Sequence, residues 1–163
     1  MNKLLKDVIR LRRQERYDES REILDSLLSD DPHNPEYLAQ YAFALDNQGQ
    51  EEAAIGYYRK ALEHNPKKDL YTQISLGLGS SLRAIGRYEE AVEVLEEGVS
   101  KDPRHAALQT FYALSLYNVG RYQESVRILA GLLVRTSSDR QVKAFKEALE
   151  IYADDPDKVW KSS

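Results

Sequence analysis

The sequence contains no cysteine. That absence excludes disulfides, thiolate metal sites and a cysteine nucleophile, and it fits a reducing compartment. Glycine and proline are sparse too, 8 and 5 of 163 residues, below the roughly 12% of an average chain. Loop-rich and collagen-like organisations are therefore excluded. No apolar run approaches the ~20 residues that cross a bilayer. The opening Met-Asn-Lys-Leu-Leu-Lys-Asp lacks the uninterrupted apolar core of a secretion signal. Nor is there a surplus of positive charge: 23 Lys and Arg stand against 27 Asp and Glu, a formal net of −4, so no general attraction to nucleic acid or anionic lipid is expected. What remains is 42% hydrophobic and 31% charged residues, in a length suited to about one domain with a sizeable core. The expectation is a soluble, cytoplasmic protein.

The chain repeats itself. Glu15-Arg16-Tyr17-Asp18-Glu19-Ser20, Gly86-Arg87-Tyr88-Glu89-Glu90-Ala91 and Gly120-Arg121-Tyr122-Gln123-Glu124-Ser125 align without gaps, and a fourth copy starts at Gly49-Gln50-Glu51-Glu52-Ala53-Ala54. Gly86 to Gly120 and Pro32 to Pro66 are each 34 residues apart; Gly49 to Gly86 and Pro66 to Pro103 are 37. One period of 34 with a three-residue insertion, Asp69-Leu70-Tyr71, accounts for all four intervals. Each copy reads as two helices. In the second, Leu38, Tyr41, Ala42 and Leu45 recur at helical spacing and stop at Gly49. Ala54, Tyr57, Tyr58, Ala61 and Leu62 do the same and stop at Asn65-Pro66. Pro32, Pro35, Pro66 and Pro103 lie between copies, where they spare the helices the ~3 kcal/mol cost of an interior proline. No stretch alternates as a strand would. The insertion predicts a first helix of the third copy longer by almost one turn, with Asp69 near its N-cap.

Little of this composition points to catalysis. His33, His64 and His105 fall in or beside successive turns, so they are expected to be spread apart as solvated turn residues rather than to converge on a metal held at ~2.0–2.1 Å. The paired carboxylates, among them Asp30-Asp31, Glu51-Glu52, Glu89-Glu90, Glu96-Glu97 and Asp154-Asp155, are adjacent on helices and do not face each other. Glu51-Glu52 and Glu89-Glu90 lie near second-helix N-termini, where they favour the dipole. No serine has a nucleophile-elbow context, and Gly77-Leu-Gly79 sits mid-helix without the rest of a phosphate loop. Lys3, Lys6, Arg10, Arg12, Arg13 and Arg16 crowd the first helix, opposed by Asp7 and Glu15. They point around more than one face with no aromatic interleaved before Tyr17, which reads as solvated surface rather than a nucleic-acid site.

The 34-residue helix–turn–helix resembles the tetratricopeptide repeat family, whose signature runs W-x2-L-G-x2-Y … A-x3-F … P. Frames of 1–34, 35–68, 72–105 and 106–139 match it. The close-approach slot of the first helix holds Val8, Ala42, Gly79 and Ala113. The small slot of the second holds Ser20, Ala54, Ala91 and Ser125, followed four residues later by Leu24, Tyr58, Leu95 and Leu129. Small residues suit axes that approach within ~8–10 Å. The sequence departs from the signature where the Trp slot holds Leu4, Leu38, Ser75 and Gln109, where Asp7 and Glu15 replace an apolar residue and Gly, and where Ser137 replaces the last proline. Ser138-Asp139-Arg140-Gln141 has capping-box spacing and opens a helix of about 139–153, with Val142, Phe145, Leu149 and Tyr152 on one face, like the solvating cap such arrays require. The resemblance implies an all-α, right-handed α-solenoid: four repeats and a capping helix form one domain over 1–156, and 157–163 form a tail.

It also implies a non-catalytic module without cofactor or small-molecule substrate, binding a protein or peptide in a concave groove lined by first helices. Chaperone-binding relatives hold a C-terminal carboxylate with Lys, Asn and Arg at five slots, which here hold Leu5, Ile9, Gln40, Gln73 and Gly77. The cationic clamp is gone. An apolar stripe remains, and the groove residues are taken as Leu5, Ile9, Gln40, Phe43, Asn47, Gln73, Leu76, Phe111, Leu114 and Tyr117. The alternative is a self-assembling homodimer that buries this stripe, the cap helix or the tail. Trp160, the sole tryptophan, and Val159 are expected to fold back onto the cap helix, or onto a neighbour's cap in a dimer.

Overall fold

The structure, a computed structural model, describes residues 3–160. Among them every regular element is an α-helix. The helices are α1 (Lys3–Arg13), α2 (Tyr17–Asp30), α3 (Pro35–Asp46), α4 (Glu51–Glu63), α5 (Lys68–Ala84), α6 (Tyr88–Lys101), α7 (Ala106–Asn118), α8 (Tyr122–Thr136), α9 (Arg140–Ala144) and α10 (Lys146–Asp154). They gather into two compact units, residues 1–87 and 88–163. The first two helix pairs and α5 belong to unit 1; α6, the fourth pair and the C-terminal helices belong to unit 2. No helix of the described residues is long and apolar enough to cross a membrane.

The turns inside the repeats share one geometry. Gly49, Gly86 and Gly120 have φ of 70°, 81° and 80°, and Glu15 takes the same left-handed place at 60°. Around each, two backbone bonds close the preceding helix. The amides of Arg16, Gln50, Arg87 and Arg121 reach the carbonyls of Leu11, Leu45, Leu82 and Leu116 at 2.9–3.0 Å, and those of Glu15, Gly49, Gly86 and Gly120 reach Arg12, Asp46, Arg83 and Tyr117 at 3.0–3.1 Å. This is the 6→1 and 5→2 Schellman pair, which stops one helix and aims the next. The opposite ends are capped by side chains. Asn34 Oδ1 accepts from the amides of Glu36 and Tyr37 ahead of Pro35, and His105 Nδ1 accepts from Leu108.

The small slots lie at the closest approaches. Val8, Ala42 and Ala113 are wholly buried, as are Ala54 and Ala91. Ser20 joins them and donates its hydroxyl to the Val8 carbonyl at 3.2 Å, satisfying a polar group in the α1–α2 contact. In unit 1 Val8, Leu24 and Leu27 form a core against which Ile23, Tyr37 and Tyr41 pack. Each such apolar side chain contributes ~1.5–3 kcal/mol by leaving water.

The insertion is helical: α5 has 17 residues against 12 for α3 and 13 for α7. Its N-cap is Lys67, two residues before Asp69. The C-terminal end departs further from expectation. The cap is two short helices broken at Phe145, and its N-cap is Asp139, whose carboxylate accepts from the amides of Gln141 and Val142. No residue of α9 or α10 is buried. Phe145, at the break, is 67% exposed, and α10 lies along α8 rather than α7. Trp160 and Val159 are not folded onto the cap but stand 68% and 75% exposed. A turn in which Asp155 accepts from the amides of Asp157 and Lys158 sends the tail toward α8, where the Gln123 amide donates to Asp157.

The left-handed turn at Glu15 makes a stability prediction. Glu15→Gly removes the clash of a Cβ at positive φ and should raise stability by about 1 kcal/mol, seen as a higher urea midpoint at unchanged slope. Gln14→Gly, one residue earlier, should lower it.

Candidate functional site

In unit 1 the inner faces of α1, α3 and α5 enclose a cleft of about 240 Å³, lined by Arg12, Phe43, Asp46, Tyr58, Gln73, Leu76 and Gly77. Its floor is Tyr58, which comes from the second helix of its repeat. Tyr58 is wholly buried, its hydroxyl donating to Asp46 Oδ2 at 3.0 Å and its ring meeting Phe43 edge-on at 5.6 Å. The Ser81 hydroxyl lies 2.9 Å from Asp46 Oδ1 and from the Gly77 carbonyl. A helix, a buried phenol and a carboxylate are thereby tied across α3, α4 and α5. Gly77 makes this possible, since a Cβ there would stand 2.5 Å from the Tyr58 oxygen and 2.6 Å from its Cζ.

Burial sets the charge states. Desolvation, followed by the nearby Asp46 carboxylate, holds the Tyr58 phenol protonated far above its ordinary range. Asp46 itself is pushed up, chiefly by burial, against the opposing pull of the Ser81 and Tyr58 donors. Arg12 is lowered by burial. Its guanidinium carbon lies 5.3 Å from the centroid of the Phe43 ring, a cation–π distance, and its buried Nε has no hydrogen-bond partner.

Of the residues expected to line a groove, the structure brings Phe43, Gln73 and Leu76 together in this cleft. Ile9 is half-buried on α1, and Asn47 is exposed at the C-cap of α3. Leu5 does not line a groove: it is 2% exposed, taken into the core of unit 1 on the same face as Val8 and Leu11. Gln40 is also buried, at 5%, with Oε1 unpartnered. In unit 2, Phe111 and Leu114 are half-buried on α7, and Tyr117 is 58% exposed with its ring 5.1 Å from that of Tyr122. Unit 2 also carries a cleft of about 490 Å³ between α8 and α10, floored by Ile128, Gly131 and Val134. The basic first helix is not uniformly solvated surface. Arg10 pairs with Asp7 at 2.9 Å and Arg12 turns inward, while Arg16 lies beyond α1 as the N-cap of α2 and pairs with Glu19 at 2.6 Å. Nor are the histidines all separate: the rings of His33 and His64 are 4.7 Å apart, because a whole repeat lies between them and returns each turn to the same edge of the unit. No group of three or more His, Cys, Asp or Glu among the described residues could hold a metal ion.

Sequence reasoning passes over Tyr58 as a site residue; it places Gly77 at a clamp slot, but neither Gly77 nor Asp46 is among the residues taken to line the groove. The available signal was a size exchange: the slot holding Leu24, Leu95 and Leu129 elsewhere holds Tyr58, and the residue it meets is glycine. Two outcomes check this account. Gly77→Ala should cost ~1–3 kcal/mol by overpacking, and most of that penalty should vanish in a Tyr58→Leu background when both are measured by urea unfolding. Asp46 has its pKa raised in the folded state, so proton uptake favours folding. The stability of wild type relative to Asp46→Asn should therefore rise as pH falls from neutrality toward about 4, and be lost as pH climbs back through the folded-state pKa.

Comparison with known proteins agrees with this architecture. The family model described as Tetratrico peptide repeat matches residues 35–154. The small glutamine-rich tetratricopeptide repeat-containing protein 2 of Mycosarcoma maydis is 34% identical over 84 residues, 52% of this chain and 23% of that protein. An uncharacterized protein of Methanocaldococcus jannaschii is 35% identical over 65 residues, 40% of this chain and 72% of that one. The chain thus spans less than a quarter of the fungal relative's length. Among solved structures, MamA 41-end from Desulfovibrio magneticus RS-1 superposes with a TM-score of 0.74 at 21% identity, over 95% of this chain and 88% of that one. A chain of the APC/C hetero-tetramer Cut9–Hcn1 gives 0.72 at 17%, over 92% of this chain and 29% of that one. The fold is an all-α solenoid, and the chain belongs to the tetratricopeptide repeat family.

Proposed function

We propose that this chain is a non-catalytic, cytoplasmic adaptor whose repeats hold an apolar peptide or helix of another protein. The observation that carries the reading is the unit 1 cleft, where Phe43 and Leu76 remain half-buried beside a rigid floor with no segment of the described chain filling the space. Apolar surface held open in this way suits capture of another chain's side chains. In unit 2, Phe111, Leu114 and Tyr117 offer a second apolar face on α7. Similar folds occur in multi-chain assemblies, among them the Cut9–Hcn1 tetramer and Naa15/Naa10 bound to HypK-THB, which supports a protein partner. Tethered to wild type, the chain should retain specific partners that the Phe43→Asp and Phe111→Asp double variant loses, with unchanged helical content by circular dichroism. Equal recovery by both would remove the groove reading.

A second reading, a homodimer through the C-terminal end, is favoured by one observation. Val126 and Leu133 on α8 are 49% and 45% exposed. One and two repeats earlier, the places equivalent to Val126 are Val92 and Ile55, buried at 7% and 4%. A second copy would cover what α9 and α10 leave bare. Light scattering after size exclusion separates the two readings: a strict monomer at high concentration removes the dimer, and a dimer broken by Val126→Glu supports it.

A further inference from the structure

Arg12 is the one charged residue of the unit 1 cleft that the chain itself does not compensate. It is half-buried, its Nε is closed off from water without an acceptor, and no carboxylate among the described residues pairs with it. Nearby arginines differ: Arg10 on α1 is neutralised by Asp7, and Arg16, the N-cap of α2, by Glu19. The cleft's acid, Asp46, is not available, because one oxygen accepts from Tyr58 and the other from Ser81. Lodged against Phe43, the guanidinium keeps its charge in a partly dry place, which is costly without a counter-ion. An arriving carboxylate would find a charge-assisted donor that needs little further desolvation. The space is about 240 Å³, below the ~300–1,000 Å³ of small-molecule sites and suited to a single side chain. Phe43, Leu76 and the bare Gly77 backbone make that space apolar.

We propose that the unit 1 cleft recognises an internal acidic residue, Asp or Glu, placed beside a bulky apolar residue in a partner protein, with the carboxylate on Arg12 and the apolar side chain between Phe43 and Leu76. This rests on the groove reading above and adds the charge of the ligand to it. Arg12 is the single cation among the lining residues and Asp46 the single acid, so the cleft suits at most one added negative charge; a phosphate, with nearly two, would be undercompensated. The charged donor differs from that of a terminal-carboxylate clamp: Arg12 sits at the end of α1, while the clamp slots hold Leu5, Ile9, Gln40, Gln73 and Gly77, none of them cationic, with Gln73 and Gly77 among the residues that line the cleft.

The test uses the full chain and a random library of short peptides, acetylated and amidated so that no terminal carboxylate is present. Wild type should enrich sequences with Asp or Glu next to Leu, Ile or Phe. Replacing that acid by its amide in a synthesised winner should weaken binding about tenfold by fluorescence anisotropy, an effect typical of an ionised hydrogen-bond partner. Arg12→Met should bind acid and amide forms alike, at the wild-type affinity for the amide, with Arg12→Gln as the second variant if the first does not fold. Enrichment of apolar residues without an acid, equal binding of acid and amide by wild type, or discrimination surviving in Arg12→Met would each overturn the proposal and leave the groove reading standing. If wild type enriches nothing, or Phe43→Asp enriches the same peptides, both fall together.

Discussion

Everything described in unit 1 hangs on the bond from the Tyr58 hydroxyl to Asp46. A phenol in a fully buried place must find an acceptor or forfeit several kcal/mol of solvation, and the acceptor here is a carboxylate on the neighbouring helix. That requirement fixes α4 against α3. Ser81 on α5 then binds the other carboxylate oxygen, and Gly77 gives up its side chain so that the ring can pass. Phe43 packs edge-on against the same ring, and Arg12 comes to rest on Phe43. The cleft is what this chain of constraints leaves open.

The two ends of the array solve the problem of exposed repeats differently. At the N-terminal end, α1 buries Leu5, Val8 and Leu11 and pairs Arg10 with its own Asp7, while Arg16 at the N-cap of α2 pairs with Glu19 of that helix. At the C-terminal end α9 and α10 bury no residue completely, and the apolar positions of α8 that earlier repeats cover stay half in water. A repeat protein stabilises each unit mainly through its neighbours, and the thin cap leaves Val126 and Leu133 of the last repeat exposed. The same thinness is what makes a covering partner at that end physically reasonable.

Function in such a fold lies in which inner-face side chains are left uncommitted. Gln109 illustrates a committed one: it sits in the slot of an absent tryptophan and is held by the Pro103 carbonyl and by Arg135 at 2.6 Å. Asp46 is committed as well. Arg12, Gln73 and Leu76 are not spent on internal bonds of this kind, and they face the same cleft. The chemistry available to a partner is therefore narrower than the list of inner-face residues suggests.

The sequence by itself determined the repeat. Its 34-residue period, the glycines at 49, 86 and 120 and the small residues at 20, 54, 91 and 125 are local demands, met by backbone conformation and helix approach whatever the rest of the chain does. Even Glu15 in the glycine slot, a departure on paper, adopts the left-handed turn, because the two Schellman bonds outweigh the strain of one Cβ. Tertiary structure decided what no local pattern encodes. Leu5 and Ile9 are equally apolar and four residues apart, yet one is core and the other half-open, since burial depends on which neighbouring helix arrives. His33 and His64, distant in sequence, meet because one whole repeat brings each turn back to the same edge. Whether an arginine is solvated, as Arg13 is, or drawn onto a phenylalanine, as Arg12 is, follows from a ring contributed by α3. The burial expected of the cap and tail failed for the same reason: their apolar residues promise burial, but burial needs a surface of matching shape, and Phe145, Val159 and Trp160 stand exposed with no residue of α9 or α10 buried.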